Sequence, residues 1–178
     1  MNLVRFTKCR NVRTPLRAHH GDAGVDFFMP VDLNLKDIHH YENCTFRCSN
    51  DNTIHEIDIM PHGRVLIPSG IRVLIEPEES MLMVANKSGL AAKNGIIYSS
   101  QIVDSPYTGE IHLGIINTSD INSFRLEASN KVVQLIHVPI ILSEWDEINL
   151  DHYEDIAQCW GSRGSNGIGS DHIETQKL

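Results

Sequence analysis

Asp104 is the residue of this chain best suited to general-base chemistry. It ends an apolar strand pattern and enters a turn that contains a Ser-Pro pair and closes at Gly109. A carboxylate delivered by a strand into such a turn can hold a water molecule and remove its proton. The alternative is an Asx-turn residue that caps its own backbone. Tyr107, within the same turn, is a candidate platform for a sugar ring.

The segment 87–95, KSGLAAKNG, is a candidate phosphate-binding turn. Ser88 is typical of an N-cap, the next residues form one or two helical turns, and Asn94 with Gly95 ends the helix. Backbone N–H groups at a helix start attract anions, and Lys87 adds a positive charge beside them. The alternative is an ordinary capped turn between two strands.

These residues need a rigid scaffold, and the rest of the chain predicts one made of strands. Short runs rich in Val and Ile alternate with turn residues, a pattern typical of an all-β sandwich or barrel. Only the segment after Ser88 has a clear helical signature. The predicted strands include residues 3–6, 65–67, 71–75, 81–84, 111–116, 132–136 and 139–142.

Length and charge limit the classes of function. At 178 residues and 41% hydrophobic content, the chain can bury one sizeable core, which favours a single domain. The net charge of -8 argues against general affinity for nucleic acid, which requires a basic face. An acidic protein that binds a polyphosphate must gather its cations locally, and Lys87, Lys131 and Arg163 are the candidates.

Membrane and disulfide classes are also disfavoured. No apolar run approaches the length of a membrane span, and the first residues lack the apolar core of a signal peptide. Four scattered cysteines are too few for a disulfide scaffold in a chain this long, so we expect reduced thiols and a cytoplasmic location in a bacterial or virus-infected cell.

Residues 32–56 are polar, rich in His and Asn, and predict an inserted hairpin or loop. Their His and Cys side chains are suitable zinc ligands, although the cysteine spacing does not match a two-residue knuckle. We therefore favour a solvated β-hairpin without metal. The ligand candidates are His39, His40, Cys44, Cys48 and His55.

From residue 161 onward the chain holds mainly Gly, Ser, Asn and Arg and cannot bury itself. Such a segment suits a lid that closes over a ligand, and the alternative is a frayed terminus.

Five motifs, in order along the chain, resemble those of the trimeric deoxyuridine triphosphatase (dUTPase) family. The matching segments are 23–26 (AGVD), 87–91 (KSGLA), 103–110 (VDSPYTGE), 130–136 (NKVVQLI) and 163–170 (RGSNGIGS).

The resemblance implies a fold and a reaction. The fold is a distorted jelly-roll β-barrel over 1–160, with one short helix after Ser88, and a Gly-rich arm over 161–178 that closes on the site. The reaction is hydrolysis of dUTP to dUMP and diphosphate by attack of water on the α-phosphorus, which lowers dUTP and supplies dUMP for thymidylate synthesis. The family works as a homotrimer with composite sites, and Mg²⁺ is held by substrate phosphates and water rather than by protein ligands.

The resemblance also assigns roles to residues. Asp104 is the catalytic base, the Tyr107 ring packs on the deoxyribose and excludes a ribose hydroxyl, and Asp26 with Gln134 supports the phosphates or metal. Uracil is read by backbone groups of a β-hairpin. The implied substrate-binding residues are Lys87, Ser88, Gly89, Ile102, Val103, Tyr107, Gln134, Arg163, Ile168, Gly169 and Ser170.

The chain departs from the family pattern at five positions. Lys87 and Lys131 stand where Arg is usual, so a point charge replaces a bidentate fork. Asn130 replaces Asp, Gln101 replaces Gly, and Ile168 stands where the closing arm normally offers Phe to stack on the base. We expect weaker capture of substrate as a result.

Two other functions compete with this one. A dCTP deaminase resembles dUTPases in fold, but its deaminating Glu has no counterpart here, where the equivalent stretch contains Gly114. A nucleotide-binding regulator that contacts a partner protein through residues 32–56 is the second alternative.

Overall fold

The computed structural model describes residues 2–160. Contacts divide the chain into two units, Met1–Ile141 and Leu142–Leu178. The first unit contains the strands and one helix, α1 (Ser88–Asn94), and the second contains helix α2 (Leu150–Trp160). The strands are β1 (Leu3–Lys8), β2 (Val25–Phe28), β3 (Tyr41–Cys48), β4 (Ile54–Glu76), β5 (Ser80–Ala85), β6 (Ile96–Tyr98), β7 (Ile102–Asp104), β8 (Glu110–Asn117), β9 (Phe124–Glu127) and β10 (Lys131–Pro139).

The strands form two antiparallel sheets, which confirms the all-β prediction. One sheet has the order β1-β4-β8-β6, with β3 and β9 also paired to β4, and the other has the order β2-β10-β5-β7. Alternating Val, Ile and Leu side chains from both sheets make one hydrophobic core. Strand β10 is central to the second sheet, because it pairs with β2 on one side and with β5 on the other.

Strand β4 is long because it changes partners along its length. Its first part pairs with β3 and β9, its middle with β8, and its last part with β1. The register with β8 shifts between Pro68 and Arg72, where Gly70 adopts a left-handed φ of 73°. A glycine allows this conformation without steric cost, so the strand can bend there.

Residues 32–56 form a hairpin that is built into the first sheet. Strand β3 pairs with the start of β4, and the side chains of Leu33, Ile38 and Ile54 are buried in the core. The hairpin therefore contributes to the core, whereas the sequence suggested a solvated excursion. A short 3-10 turn, Leu35–Asp37, precedes it.

The thiols of this hairpin face the core because strand side chains alternate in direction. Cys44, Phe46 and Cys48 all pack against the core cluster. The Cys44 Sγ donates to the carbonyls of Glu42 and Arg64 at 3.3 Å each, and burial raises the pKa of Cys44 to about 11. Among residues 2–160, no group of three or more His, Cys, Asp or Glu side chains is arranged to hold a metal ion.

Helix α2 was not expected from the sequence. Asn149 caps it, since its Oδ1 accepts from the N–H of His152 at 2.9 Å. The apolar residues Leu150, Tyr153 and Ile156 recur at helical spacing, so the cap and the periodicity together were a usable signal. Neither helix in the described part of the chain has the length and apolar content needed to cross a membrane.

Candidate active site

Asp26 lies at the centre of a cluster of charges. Its carboxylate is buried, with 4% of the residue exposed, and it follows the turn that enters β2. The Lys87 Nζ lies 2.5 Å from its Oδ1, and the Lys131 Nζ lies 2.6 Å from its Oδ2. Burial raises the pKa of Asp26, but hydrogen bonds from Lys131 and Lys87 outweigh it, so the pKa falls below its usual value.

Gln134 completes this cluster from the central strand. In the sheet register it lies opposite Asp26 on β2 and opposite Ala85 on β5. Its Nε2 donates to the Asn86 carbonyl at 3.0 Å. A Cβ on Gly24 would lie 2.6 Å from the Gln134 Oε1, so only glycine fits at that close approach. We call Asp26, Lys87, Lys131 and Gln134 the charged half-site.

Helix α1 begins beside the charged half-site, but its cap differs from the prediction. Lys87, in an extended conformation, is the N-cap, and Ser88 is already the first helical residue. The first intrahelical bond runs from the Ala91 N–H to the Lys87 carbonyl at 2.9 Å, which leaves the three preceding N–H groups outside the helical pattern. The predicted end is confirmed, since Gly95 has a left-handed φ of 67° after Asn94.

Asp104 ends strand β7 at the edge of the second sheet, opposite Met81 of β5. Its carbonyl accepts from the Tyr107 N–H at 3.0 Å, so the chain turns there as predicted. The carboxylate is exposed, and within residues 2–160 it accepts no hydrogen bond from its own turn. The Asx-turn alternative therefore has no support in the described residues.

The turn at 105–109 connects the two sheets. Strand β7 pairs with β5 and strand β8 pairs with β4 and β6, so the described ladders do not form the β-hairpin that the resemblance implies. The Tyr107 hydroxyl donates to the Glu110 carbonyl at 2.8 Å. A Cβ on Gly109 would lie 2.6 Å from the Tyr107 Cζ, so the ring lies directly on this glycine.

A cavity of about 210 Å³ opens beside this turn. Ile102 and Tyr107 are exposed at it, with 60% and 44% of their surfaces accessible. We call Asp104, Tyr107 and this cavity the tyrosine half-site. The lining residues are Val84, Ser100, Ile102, Val103, Asp104, Tyr107, Ile111 and His112.

The two half-sites are far apart within one chain. Asp26 and Asp104 lie on β2 and β7, which are three strand steps apart. Along the strands they are offset by the four positions from Ala85 to Met81. With about 4.8 Å between strands and about 3.4 Å per residue, the two positions are about 20 Å apart. The fold thus gathers motifs one, two and four, but leaves motif three separate.

Several functional candidates were missed from sequence, and others cannot be placed. His112 lines the cavity, and the Glu110 carbonyl bonds to His112 and Tyr107. Arg10, which contacts Glu110 at 2.8 Å from 100 residues away, carried no local signal. The fifth-motif residues lie outside the described part of the chain. They are Arg163, Ile168, Gly169 and Ser170.

Comparisons with known proteins identify the family of the chain. A family model described as dUTPase matches residues 52–170. The deoxyuridine 5'-triphosphate nucleotidohydrolase of Mycobacterium sp. (strain JLS) is 30% identical over 163 residues, which cover 90% of this chain and 88% of that protein. The enzyme of the same name from Mycolicibacterium vanbaalenii is 29% identical over 163 residues, with the same coverage.

A solved structure, the Staphylococcus bacteriophage 80alpha dUTPase with dUPNHPP, has a similar fold. The TM-score is 0.71 at 20% sequence identity, and the match covers 97% of this chain and 100% of that one. The family match spans more than half of the chain, and the mycobacterial relative is 30% identical over 90% of it. The chain therefore belongs to the dUTPase family.

Proposed function

We propose that this chain hydrolyses dUTP to dUMP and diphosphate, and that Asp104 directs a water molecule at the α-phosphorus. One observation carries the assignment to Asp104: its carboxylate is exposed at the rim of the cavity that Tyr107 lines, free of any hydrogen bond within residues 2–160. A carboxylate with both oxygens available can orient a water and accept its proton. The reaction removes dUTP and yields dUMP.

The charged half-site would bind the phosphates. Two lysines share one carboxylate, so the cluster of Asp26, Lys87 and Lys131 keeps a net charge of about +1. The N–H groups of Ser88 and Gly89 precede the first bond of α1 and add donors beside Lys87. Asp26 supports this binding by holding both ammonium groups in place.

The tyrosine half-site would bind the nucleoside. The Tyr107 ring is fixed from below by Gly109 and at its hydroxyl by the Glu110 carbonyl, so its exposed face is rigid. A deoxyribose packed on that face leaves no room for a ribose hydroxyl. Ile102 and Val103 line the cavity on the edge strand β7, and the backbone groups that β7 does not use to pair with β5 would read the uracil edge.

The separation of the half-sites supports a homotrimer with composite sites. About 20 Å between Asp26 and Asp104 is too long for one nucleotide to contact both, so the tyrosine half-site of one subunit would meet the charged half-site of another. Phe6 and Leu74, on the paired strands β1 and β4, expose about half of their surfaces and offer apolar contact area. Closure of an arm that carries Arg163 and Ile168 stays a prediction.

Mg²⁺ fits this donor set as an ion held by the substrate. Both Asp26 oxygens accept from lysines, and residues 2–160 offer no cage of three or more ligands. We infer that phosphate oxygens and waters would hold the ion, with Asp26 and Gln134 supporting its surroundings. When bound, the ion organises the triphosphate and neutralises its developing charge.

The cytoplasmic location of the protein and a protein partner for residues 32–56 are also proposals. All four cysteines are free, which agrees with a reducing cytoplasm. Deaminase chemistry has no support, because Gly114 offers no side chain that could transfer a proton. A protein partner that docks on residues 32–56 stays a prediction, and a pull-down with and without the hairpin tests it.

The decisive experiment is Asp104→Asn. We expect kcat for dUTP with Mg²⁺ to fall by about 1,000-fold, because the base is lost, while the Kd of dUpNHpp changes little. Asp120→Asn, at an exposed loop carboxylate, is the matched control and should keep full activity. Activity of Asp104→Asn within tenfold of the wild type would contradict the assignment.

Complementation tests the composite site. Asp104→Asn and Lys87→Met chains should each be inactive alone. In trimers assembled from an equal mixture, half of the charged half-sites and half of the tyrosine half-sites are intact. About a quarter of the composite sites then have both halves intact, so about a quarter of the wild-type activity should return. No recovery in mixed trimers, shown by mass to contain both chains, would place both half-sites in one subunit.

A further inference from the structure

The Glu110 carbonyl holds two rings of the tyrosine half-site at once. It accepts from the Tyr107 hydroxyl at 2.8 Å and from the His112 Nδ1 at 2.9 Å. Because a carbonyl only accepts, the His112 proton resides on Nδ1. Both rings line the cavity, and we call them together the nucleoside wall. The position of one backbone carbonyl therefore fixes both rings of this wall.

The side chain of Glu110 is in turn held from outside the family motifs. Its Oε1 accepts from the Arg10 Nε at 2.8 Å and from the Gly70 N–H at 2.7 Å, at the bend of β4. These two side chains are largely buried, with 23% of Arg10 and 14% of Glu110 exposed. The Arg10 NH1 also lies 3.2 Å from the Asp37 Oδ2.

Asp37 belongs to residues 32–56, so this contact links the hairpin segment to the nucleoside wall. The Asp37 Oδ2 also accepts from the Asn34 N–H at 2.9 Å, which fixes the carboxylate at the 3-10 turn. Arg10 therefore bridges two carboxylates that are anchored by different parts of the backbone. A planar guanidinium can do this with separate nitrogen atoms, whereas a lysine ammonium is a single point charge.

We propose that Arg10 is a positioning residue for nucleoside selection, which holds Glu110 and through it the Tyr107 and His112 rings, and that Asp37 orients its guanidinium. This inference rests on the proposed function, since it takes the cavity as the nucleoside site. Without Arg10, the Glu110 carboxylate loses a charged partner and must rehydrate, so the strand start and its carbonyl move. The Tyr107 face then no longer excludes the ribose hydroxyl.

The test compares binding of dUpNHpp and of its ribose counterpart by calorimetry in the full-length trimer. For Arg10→Met, we expect the Kd of the deoxy analogue to rise about tenfold while that of the ribo analogue changes little, because the ring is displaced. Arg10→Lys should restore part of the selectivity. Asp37→Asn leaves the contact between Arg10 and Glu110 intact, so it should raise the Kd of the deoxy analogue only about threefold.

Arg125→Met is the matched control, because it removes ion pairs to Asp58 and Glu56 on β4 without touching the cavity. Its ratio of the two Kd values should equal that of the wild type. An unchanged ratio of the two Kd values in folded Arg10→Met overturns the proposal. If Arg10→Met does not fold, an unchanged ratio in both Arg10→Lys and Asp37→Asn overturns it. A wild type that binds neither analogue refutes the proposed function itself.

Discussion

The charged half-site and the tyrosine half-site are held in place by different means. Asp26, Lys87 and Lys131 lie on or beside neighbouring strands of one sheet, with the carboxylate buried and both oxygens engaged. Tyr107 is exposed on a turn between sheets, and hydrogen bonding to the Glu110 carbonyl positions it. The charged half-site therefore depends on sheet register and charge, and the tyrosine half-site depends on the position of the Glu110 peptide group.

This difference separates stability from selectivity. A change in the charged half-site disturbs a buried ionic group, so under the proposed roles we expect it to cost folding free energy and to affect every nucleoside triphosphate alike. A change in the tyrosine half-site disturbs an exposed turn, so we expect it to cost little stability but to alter discrimination between deoxyribose and ribose. Variants of each half-site can test this division.

The largest expected effect on stability comes from Asp26→Asn. The buried carboxylate is replaced by a neutral amide, so Lys87 and Lys131 lose their partner and face each other. Because both ammonium groups can turn toward water, we expect a loss of about 2 kcal/mol in the free energy of unfolding. Urea denaturation measures it, with Asp120→Asn as the surface control. A loss below about 0.5 kcal/mol would remove the contrast between the half-sites.

Gly109→Ala should alter selectivity more than stability. The new Cβ would lie 2.6 Å from the Tyr107 Cζ, so the ring must move off the turn. We expect kcat/KM for dUTP to fall about tenfold with little change for UTP, because the excluding face is displaced. Steady-state kinetics on both substrates measure the ratio, and an equal fall for both would contradict the assignment of Tyr107 to the sugar.

Gly24→Ala is the counterpart in the charged half-site. Its Cβ would lie 2.6 Å from the Gln134 Oε1. The Gln134 side chain must then shift, which weakens the hydrogen bond from its Nε2 to the Asn86 carbonyl. We expect KM to rise about threefold for dUTP and for UTP alike, because the phosphates are common to both. A change in the ratio of the two substrates would show that the half-sites are not independent.

The smallest expected effect is a pH dependence of stability. The pKa of Asp26 is lowered in the folded protein, so its contribution is fully present above the unfolded value near 3.8 and is lost as pH falls through the folded value. The free energy of unfolding, measured with urea, should therefore fall more steeply with decreasing pH below pH 4 in the wild type than in Asp26→Asn. Parallel slopes of this free energy against pH would mean that the two lysines do not stabilise the carboxylate.

Local patterns in the sequence predicted much of the fold. Most of the Val and Ile runs became strands, and Asn94 with Gly95 ended α1, because these signals depend on neighbours along the chain. The strand predicted over 139–142 was wrong, because β10 already ends at Pro139. The Ser88 cap was wrong because Lys87, drawn to Asp26, takes the extended cap position instead. Helix α2 was missed although Asn149 marked its start.

The sequence by itself determined the strand content, the turn after Asp104 and the family, since each is encoded in short runs of residues. Only the tertiary structure decided that Lys87 and Lys131 share Asp26, that Arg10 reaches Glu110, and that the two half-sites lie about 20 Å apart. The reason is that these relations depend on strand order and register, which bring distant residues together and separate near ones, and no local pattern records them.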